Sequence, residues 1–229
     1  MRTKIYQINR ERDTNHAKFM GYSDLGRVQG TFKIDPSIYD EVFDAEIDET
    51  DLEAVFSRFN TDGHPLFRGH SLSVSDVIYN GNGAFYVDSV GFKPIEFDRS
   101  LAQKPENLMK IVFVEPHKPP YIAEIEDTLE AKQKAVGGFI QPVYNDDGTV
   151  LICDDESKLK DGCVGNRHYS ETGIIAGNFF VCGDDGENFI GLTDEQAEQY
   201  MERFAEPEDI SPEEVEADTG FTFIAFDYE

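Results

Sequence analysis

Apolar and polar residues alternate over 4–8 (Lys-Ile-Tyr-Gln-Ile), which predicts a strand, and apolar and acidic residues interleave over 39–47, which predicts a second, half-exposed one. The spacing then changes. Leu52, Val55, Phe56 and Phe59 fall at i, i+3, i+4 and i+7 behind Thr50-Asp-Leu-Glu53, the pattern of a capping box, so a short amphipathic helix is expected. Residues 72–79 and 84–92 are rich in β-branched and aromatic side chains, and Asn80-Gly-Asn-Gly83 between them tolerates positive φ; a hairpin follows. After a polar stretch at 97–108, Met109-Lys-Ile-Val-Phe-Val starts a fresh strand that Pro116 closes. A helix from about 126 to 136 should stop at Gly137-Gly138, and 139–144 with 149–153 flank Asn145-Asp-Asp-Gly148 as another hairpin. Residues 174–182 read as one buried strand. Thr193-Asp-Glu-Gln196 caps a helix bearing Ala197, Tyr200, Met201 and Phe204, Ser211-Pro-Glu-Glu214 starts a third capped helix, and 221–226 should dock as an edge strand.

Strands outnumber helices in both halves without βαβ alternation, so the class is α+β: two small domains, each a mainly antiparallel sheet with one or two short helices. The boundaries fall at 1–100, a linker at 101–108, 109–204, and an acidic C-terminal tail at 205–229. Charge separates the halves. The chain holds 20 Lys and Arg against 46 Asp and Glu, net −26; residues 1–108 hold 12 against 18, net −6, and residues 109–229 hold 8 against 28, net −20. Such acidity disfavours direct contact with nucleic acid or an anionic membrane and favours a cationic protein partner. With no apolar leader and no run long enough to span a bilayer, a cytoplasmic location is expected. Cys153, Cys163 and Cys182 are unevenly spaced and should be reduced thiols.

Fingerprints of common enzymes are missing: there is no GxGxxG, GxxxxGK[ST], HExxH or GxSxG. His16, His64, His70, His117 and His168 are scattered, and Asp146-Asp147, Asp154-Asp155 and Asp184-Asp185 lack the spacing of a calcium loop. No catalytic residue, metal site or cofactor is expected. Two sets of residues remain as candidates. Asn166 and Arg167, between Gly162, Gly165 and the acidic segments, offer a fork to an anion together with Asp154 and Lys158, or Arg167 pairs internally with Asp154 or Glu156. Glu206, Glu208, Asp209, Glu213, Glu214, Glu216 and Asp218 of the tail would meet a partner protein.

Phe67-Arg-Gly-His-Ser-Leu-Ser-Val-Ser-Asp-Val-Ile78, with Phe59-Asn60 before it and Tyr86-Val-Asp-Ser-Val-Gly-Phe92 after it, resembles the YodL-like domain over about 3–97. Val114-Glu-Pro116, Thr128-Leu-Glu130, Val136-Gly-Gly138, Cys153-Asp-Asp-Glu-Ser-Lys-Leu159, Asn166-Arg167, Ile175-Ala-Gly177 and Leu192-Thr-Asp-Glu-Gln196 resemble the DUF3846 domain over about 109–204. The resemblance implies a setting on phages, plasmids and conjugative elements, beside anti-restriction genes, and supplies no reaction.

A compact domain of this size is about 35 Å across, a length over which duplex DNA carries about 20 charges. The net −20 of residues 109–229 is comparable. The leading expectation is therefore a non-enzymatic accessory protein of a mobile element, inhibiting a host-defence nucleic-acid-binding effector of the restriction or CRISPR kind through an acidic, DNA-mimicking surface. The alternatives are a protein or enzyme that binds a small anionic ligand at Asn166 and Arg167, and a protein-interaction adaptor.

Overall fold

Strand β1 (Arg2–Ile8) is the inner strand around which the N-terminal half is built. The computed structural model describes residues 1–169 and 173–219, and the chain divides into two compact units, Met1–Leu108 and Met109–Glu229. The class is α+β. The first unit continues with α1 (Tyr22–Gln29), β2 (Tyr39–Glu46), α2 (Leu52–Thr61), β3 (Val77–Tyr79), β4 (Ala84–Val87) and β5 (Phe92–Ile95). Its five strands lie in the order β2-β1-β3-β4-β5, every pair antiparallel.

A bulge decides which side chains meet. Ile5 pairs with Phe43 and Tyr6 with Glu41, so Val42 is the extra residue. A bulge reverses the alternation of a strand. Tyr39, Glu41 and Tyr6 thus share one face, where the Tyr6 hydroxyl donates to Glu41 (3.1 Å) and the ring of Phe97 lies 5.0 Å from Tyr6 and 5.3 Å from Tyr39. Phe43 turns to the other face and meets Phe59 of α2 at 4.8 Å, edge to face, beside His64 and Phe67. Asp51 caps α2 by accepting from the Ala54 amide (2.9 Å), so the cap lies one residue after the expected Thr50. Helix α1 lacks a cap of its own; the Asp88 carboxylate accepts from its Tyr22 amide (2.9 Å). Of the expected strand at 72–79 only Val77–Tyr79 is formed, because the residues before it bend to serve Asp76.

The stretch read as a linker is in part built in. Gln103 accepts from the Glu41 amide (2.8 Å) and donates to the Tyr39 carbonyl (2.9 Å), adding a parallel rung to the outer edge of β2. Lys104 pairs with Glu41 (3.2 Å). The opposite edge, β5, carries Pro94.

The second unit is formed by β6 (Leu108–Val114), β7 (Tyr121–Glu126), α3 (Leu129–Val136), β8 (Ile140–Tyr144), β9 (Thr149–Asp154), β10 (Gly165–His168), β11 (Ile174–Ala176), β12 (Phe179–Asp184), β13 (Phe189–Ile190), α4 (Asp194–Arg203) and α5 (Pro212–Thr219). The main sheet runs β7-β6-β12-β9-β8 with β13 on β12, and β10 and β11 form a small second sheet. Every residue of β9 is buried, because the sheet is covered on both sides. Leu151, Cys153, Phe179 and Val181 pack with Ala197 and Tyr200 of α4 and with Phe204 just after it. The alternate set, Val150, Ile152, Phe180 and Cys182, is equally buried. Thr128 caps α3 and Gly137 ends it in the left-handed region, φ 83°, so the helix starts three residues later than expected. Pro142 sits in the middle of edge strand β8.

Residues 174–182 are two strands, which corrects the single strand expected. Gly177 takes φ 71° and donates its amide to Val164 (2.8 Å), turning the chain from β11 into β12. The apolar run hides the corner because both strands are buried. The expected strand at 221–226 lies outside the described residues. Replacing Gly177 with Ala forces a Cβ into left-handed backbone and should destabilise the second unit by about 1–2 kcal/mol. Urea unfolding should show this as a lower midpoint with an unchanged slope.

Candidate functional site

Strand β10 carries Asn166 and Arg167 into the interior of the second unit. The Asn166 amide donates to the carbonyls of Val114 (3.1 Å) and Gly177 (2.7 Å), and its oxygen accepts from Arg167 (2.9 Å). Arg167, only 1% exposed, also donates to the carbonyls of Asn166 (2.9 Å), Lys118 (2.8 Å) and Phe204 (3.1 Å). Phe204 is the C-cap of α4, so the cation rests on the negative end of that helix. Burial lowers the Arg167 pKa, while the charge of Glu208 acts the other way. The fork is spent on three backbone segments. Arg167 is therefore neither open to an anion nor paired with Asp154 or Glu156, a correction to both expectations.

The remaining two residues of that set have other partners. Asp154, buried beneath Gly138, pairs with Lys160, and Lys158 pairs with Asp218. Asp154 and Lys158 border a cavity of about 190 Å³ with Cys153 and β11, and Asn166 and Arg167 do not. The Cys153 thiol is pushed up to about 11 by burial and that of Cys182 to about 12, so both are protonated apolar fillers at neutral pH.

The tail divides into docked and free carboxylates. Ile210 and Val215 pack on Ile174 and Ala176. Gly165 must be glycine there, since a Cβ would come within 2.6 Å of the Ile210 Cβ. Glu208 accepts from the His168 amide (3.2 Å) and pairs with its ring, while Asp218 accepts from the Ile174 amide (3.0 Å) beside Lys158. Ser211 and Glu214 exchange the bonds of a capping box. Burial opposes the ionised form of Asp218, but Lys158 and the Ile174 amide hold its pKa below the usual carboxylate range. Glu206, Asp209, Glu213 and Glu216 are exposed. Sequence reasoning passed over a further exposed set on α4: Glu195, Glu198 and Glu202 recur at i, i+3 and i+7, opposite the buried Ala197 and Tyr200. The capping box drew the eye to the apolar face, although the acidic spacing was equally visible.

In the first unit the segment Arg68-Gly-His-Ser-Leu-Ser-Val-Ser-Asp76 forms a polar knot against β1. Gln7 accepts from the His70 amide (3.0 Å) and donates to its carbonyl (2.7 Å) and to the Asp76 carboxyl (2.9 Å). Gly69 lies so close that a Cβ would meet the Gln7 oxygen at 2.3 Å. Asp76 was not singled out from the sequence, yet a lone acid directly before Val77-Ile-Tyr79 is the signal that could have found it.

Truncating Arg167 to Ala leaves several buried carbonyls unpaired, each costing about 1–3 kcal/mol. The second unit should lose about 3–5 kcal/mol of stability. Lys, a single ammonium without the planar fork, should recover less than half of it, as read by chemical denaturation.

Residues 2–97 match the family model of the YodL-like domain, and residues 109–205 match that of the domain of unknown function DUF3846. No curated protein and no solved structure matches the chain. Each match falls within one of the two compact units. No described helix is long and apolar enough to cross a membrane. The chain carries a YodL-like domain followed by a DUF3846 domain.

Proposed function

We propose that this chain is a non-enzymatic accessory protein of a mobile element, whose DUF3846 unit occupies the nucleic-acid-binding surface of a cationic host-defence effector. One observation carries the reading. From Asp194 to Asp218 the chain holds eleven acidic residues and a single basic one, Arg203. The Arg203 guanidinium lies over the rings of Tyr169, Tyr200 and Phe204 (5.3–5.6 Å), and its single charge offsets only one of the eleven. Glu195, Glu198, Glu202, Glu206, Asp209, Glu213 and Glu216 are exposed and form no ion pair among the described residues. Folding consumes only part of the charge: Glu208, Glu214 and Asp218 hold the tail in position, Asp194 pairs with Lys110, and the other seven stay available to a partner. Acidic groups left unpaired at this density repel one another, a cost that a cationic partner offsets.

The anionic-ligand reading built on Asn166 and Arg167 has no support left, because both side chains are buried and both terminal nitrogens of the guanidinium are taken by internal oxygens. The test is displacement of labelled duplex DNA from purified restriction and CRISPR effectors by the full chain. Displacement should weaken by about tenfold or more between about 50 and 200 mM salt. The combined change Glu195→Gln, Glu198→Gln, Glu202→Gln, Glu213→Gln and Glu216→Gln should abolish it while changing the unfolding free energy by no more than about 0.5 kcal/mol per site. Displacement that ignores salt and charge, or chain and DNA bound together on every effector tested, overturns the reading.

A further inference from the structure

The knot that holds the YodL-like signature contains a buried acid with half its bonds unmade. Asp76 is 1% exposed. One carboxyl oxygen accepts from the Ser73 amide (2.9 Å) and from Gln7 (2.9 Å), and the other has no partner. An ionised carboxylate needs about four donors, and a charge on an unpaired buried oxygen is costly. Among the described residues no ion pair reaches it: Lys18 acts on it only through space and donates its ammonium to the Ile8 carbonyl (3.2 Å). Tyr39 on β2 and Tyr86 on β4 feel its charge, Asp13 acts on the same two tyrosines, and His70 in the knot shares Gln7 with it; among the described residues none of these forms an ion pair with it.

Strained backbone adjoins this carboxyl in the chain. Ser75 sits at φ 85° and Phe19 at φ 67°, both unusual for residues with a side chain. The Ser75 hydroxyl accepts from the Phe19 amide (2.9 Å), and the Tyr39 hydroxyl donates to the Ser75 carbonyl (3.0 Å). Phe19 is held out in solvent, 57% exposed, with its ring 6.3 Å from that of His70. Strain of this kind persists only while the surrounding contacts impose it.

We propose that Asp76 is a proton-controlled latch: as the neutral acid it locks the 69–76 segment to β1 and holds Phe19 and His70 in their exposed arrangement, and its ionisation releases both. This device belongs to the first unit and is independent of the acidic surface of the second. The sign follows from linkage. Burial raises the Asp76 pKa to about 7, against the pull of the Ser73 amide, Gln7 and Lys18. The closed form therefore binds one more proton than the open form between an ordinary carboxyl pKa of about 4 and about 7. The closed form weakens as pH rises through that window and stays weakened above it.

Amide hydrogen exchange on the full chain reads this directly. Protection factors at Phe19, His70 and Ser73 should fall by about tenfold per pH unit from about pH 4 to 7 and level off beyond. Asp76→Asn, which keeps an oxygen for both donors and cannot ionise, should flatten the profile, and His70→Gln should leave it sloping. Carboxyl-carbon NMR of the unaltered protein supplies a measurement that needs no variant: the Asp76 resonance should titrate near 7. A midpoint near 4, protection constant across the window, or an equal slope in Asp76→Asn overturns the latch.

Discussion

A guanidinium enclosed by carbonyl oxygens, with no carboxylate among its hydrogen-bond partners, holds three separate pieces of the DUF3846 unit together. Arg167 reaches the segment after β6 through Lys118, the end of α4 through Phe204 and its own strand through Asn166. A carboxylate partner would have satisfied the charge at one place and left those carbonyls unpaired. Carbonyls spread the satisfaction over the fold, and the negative end of a helix supplies the field that an anion would otherwise provide. Around this point the other requirements fall into line. Asn166 must be an amide, since it donates to two carbonyls while accepting from the arginine, and Gly165 must be glycine, since the tail crosses directly above it.

That arrangement also sorts the carboxylates. A domain with net charge −20 could be expected to use its few cations on its many anions. Its best-buried cation takes none of them, while Lys158 and Lys160 bind Asp218 and Asp154, groups that close loops or fasten the tail, and the His168 amide and ring hold Glu208. The acids of the outward face of α4 are left to solvent. Excess charge in this chain is thus a surface property, kept apart from the interior by the way the interior pairs.

Local signals were legible and remote ones were not. The cap at Thr193, the glycine stop at Gly137 and the hairpin over 145–148 need only neighbours in sequence, and each forms. Helix α1 was invisible because Asp88, its cap, lies 66 residues away. The corner at Gly177 was lost inside an apolar run, and the bulge at Val42 reassigned the faces of β2 without altering its composition. The Asn166-Arg167 pair stands out in the sequence as an anion fork, and the structure turns it inward: a motif reveals that a fork is needed and does not reveal whether it faces inward or outward. Only burial decides that, and burial depends on a helix end and a loop that arrive from elsewhere in the chain.

Pro94 and Pro142 have a consequence for how either domain can meet another molecule. Each stands in mid-course on the outermost strand of its sheet, β5 and β8, where a backbone donor would otherwise be offered. A strand arriving from outside would lose a rung at the centre of the pairing rather than at a frayed end. At these two margins the protein is closed to recognition by backbone ladder. Whatever docks there must read side chains, and a second copy of the chain gains no template on which to stack.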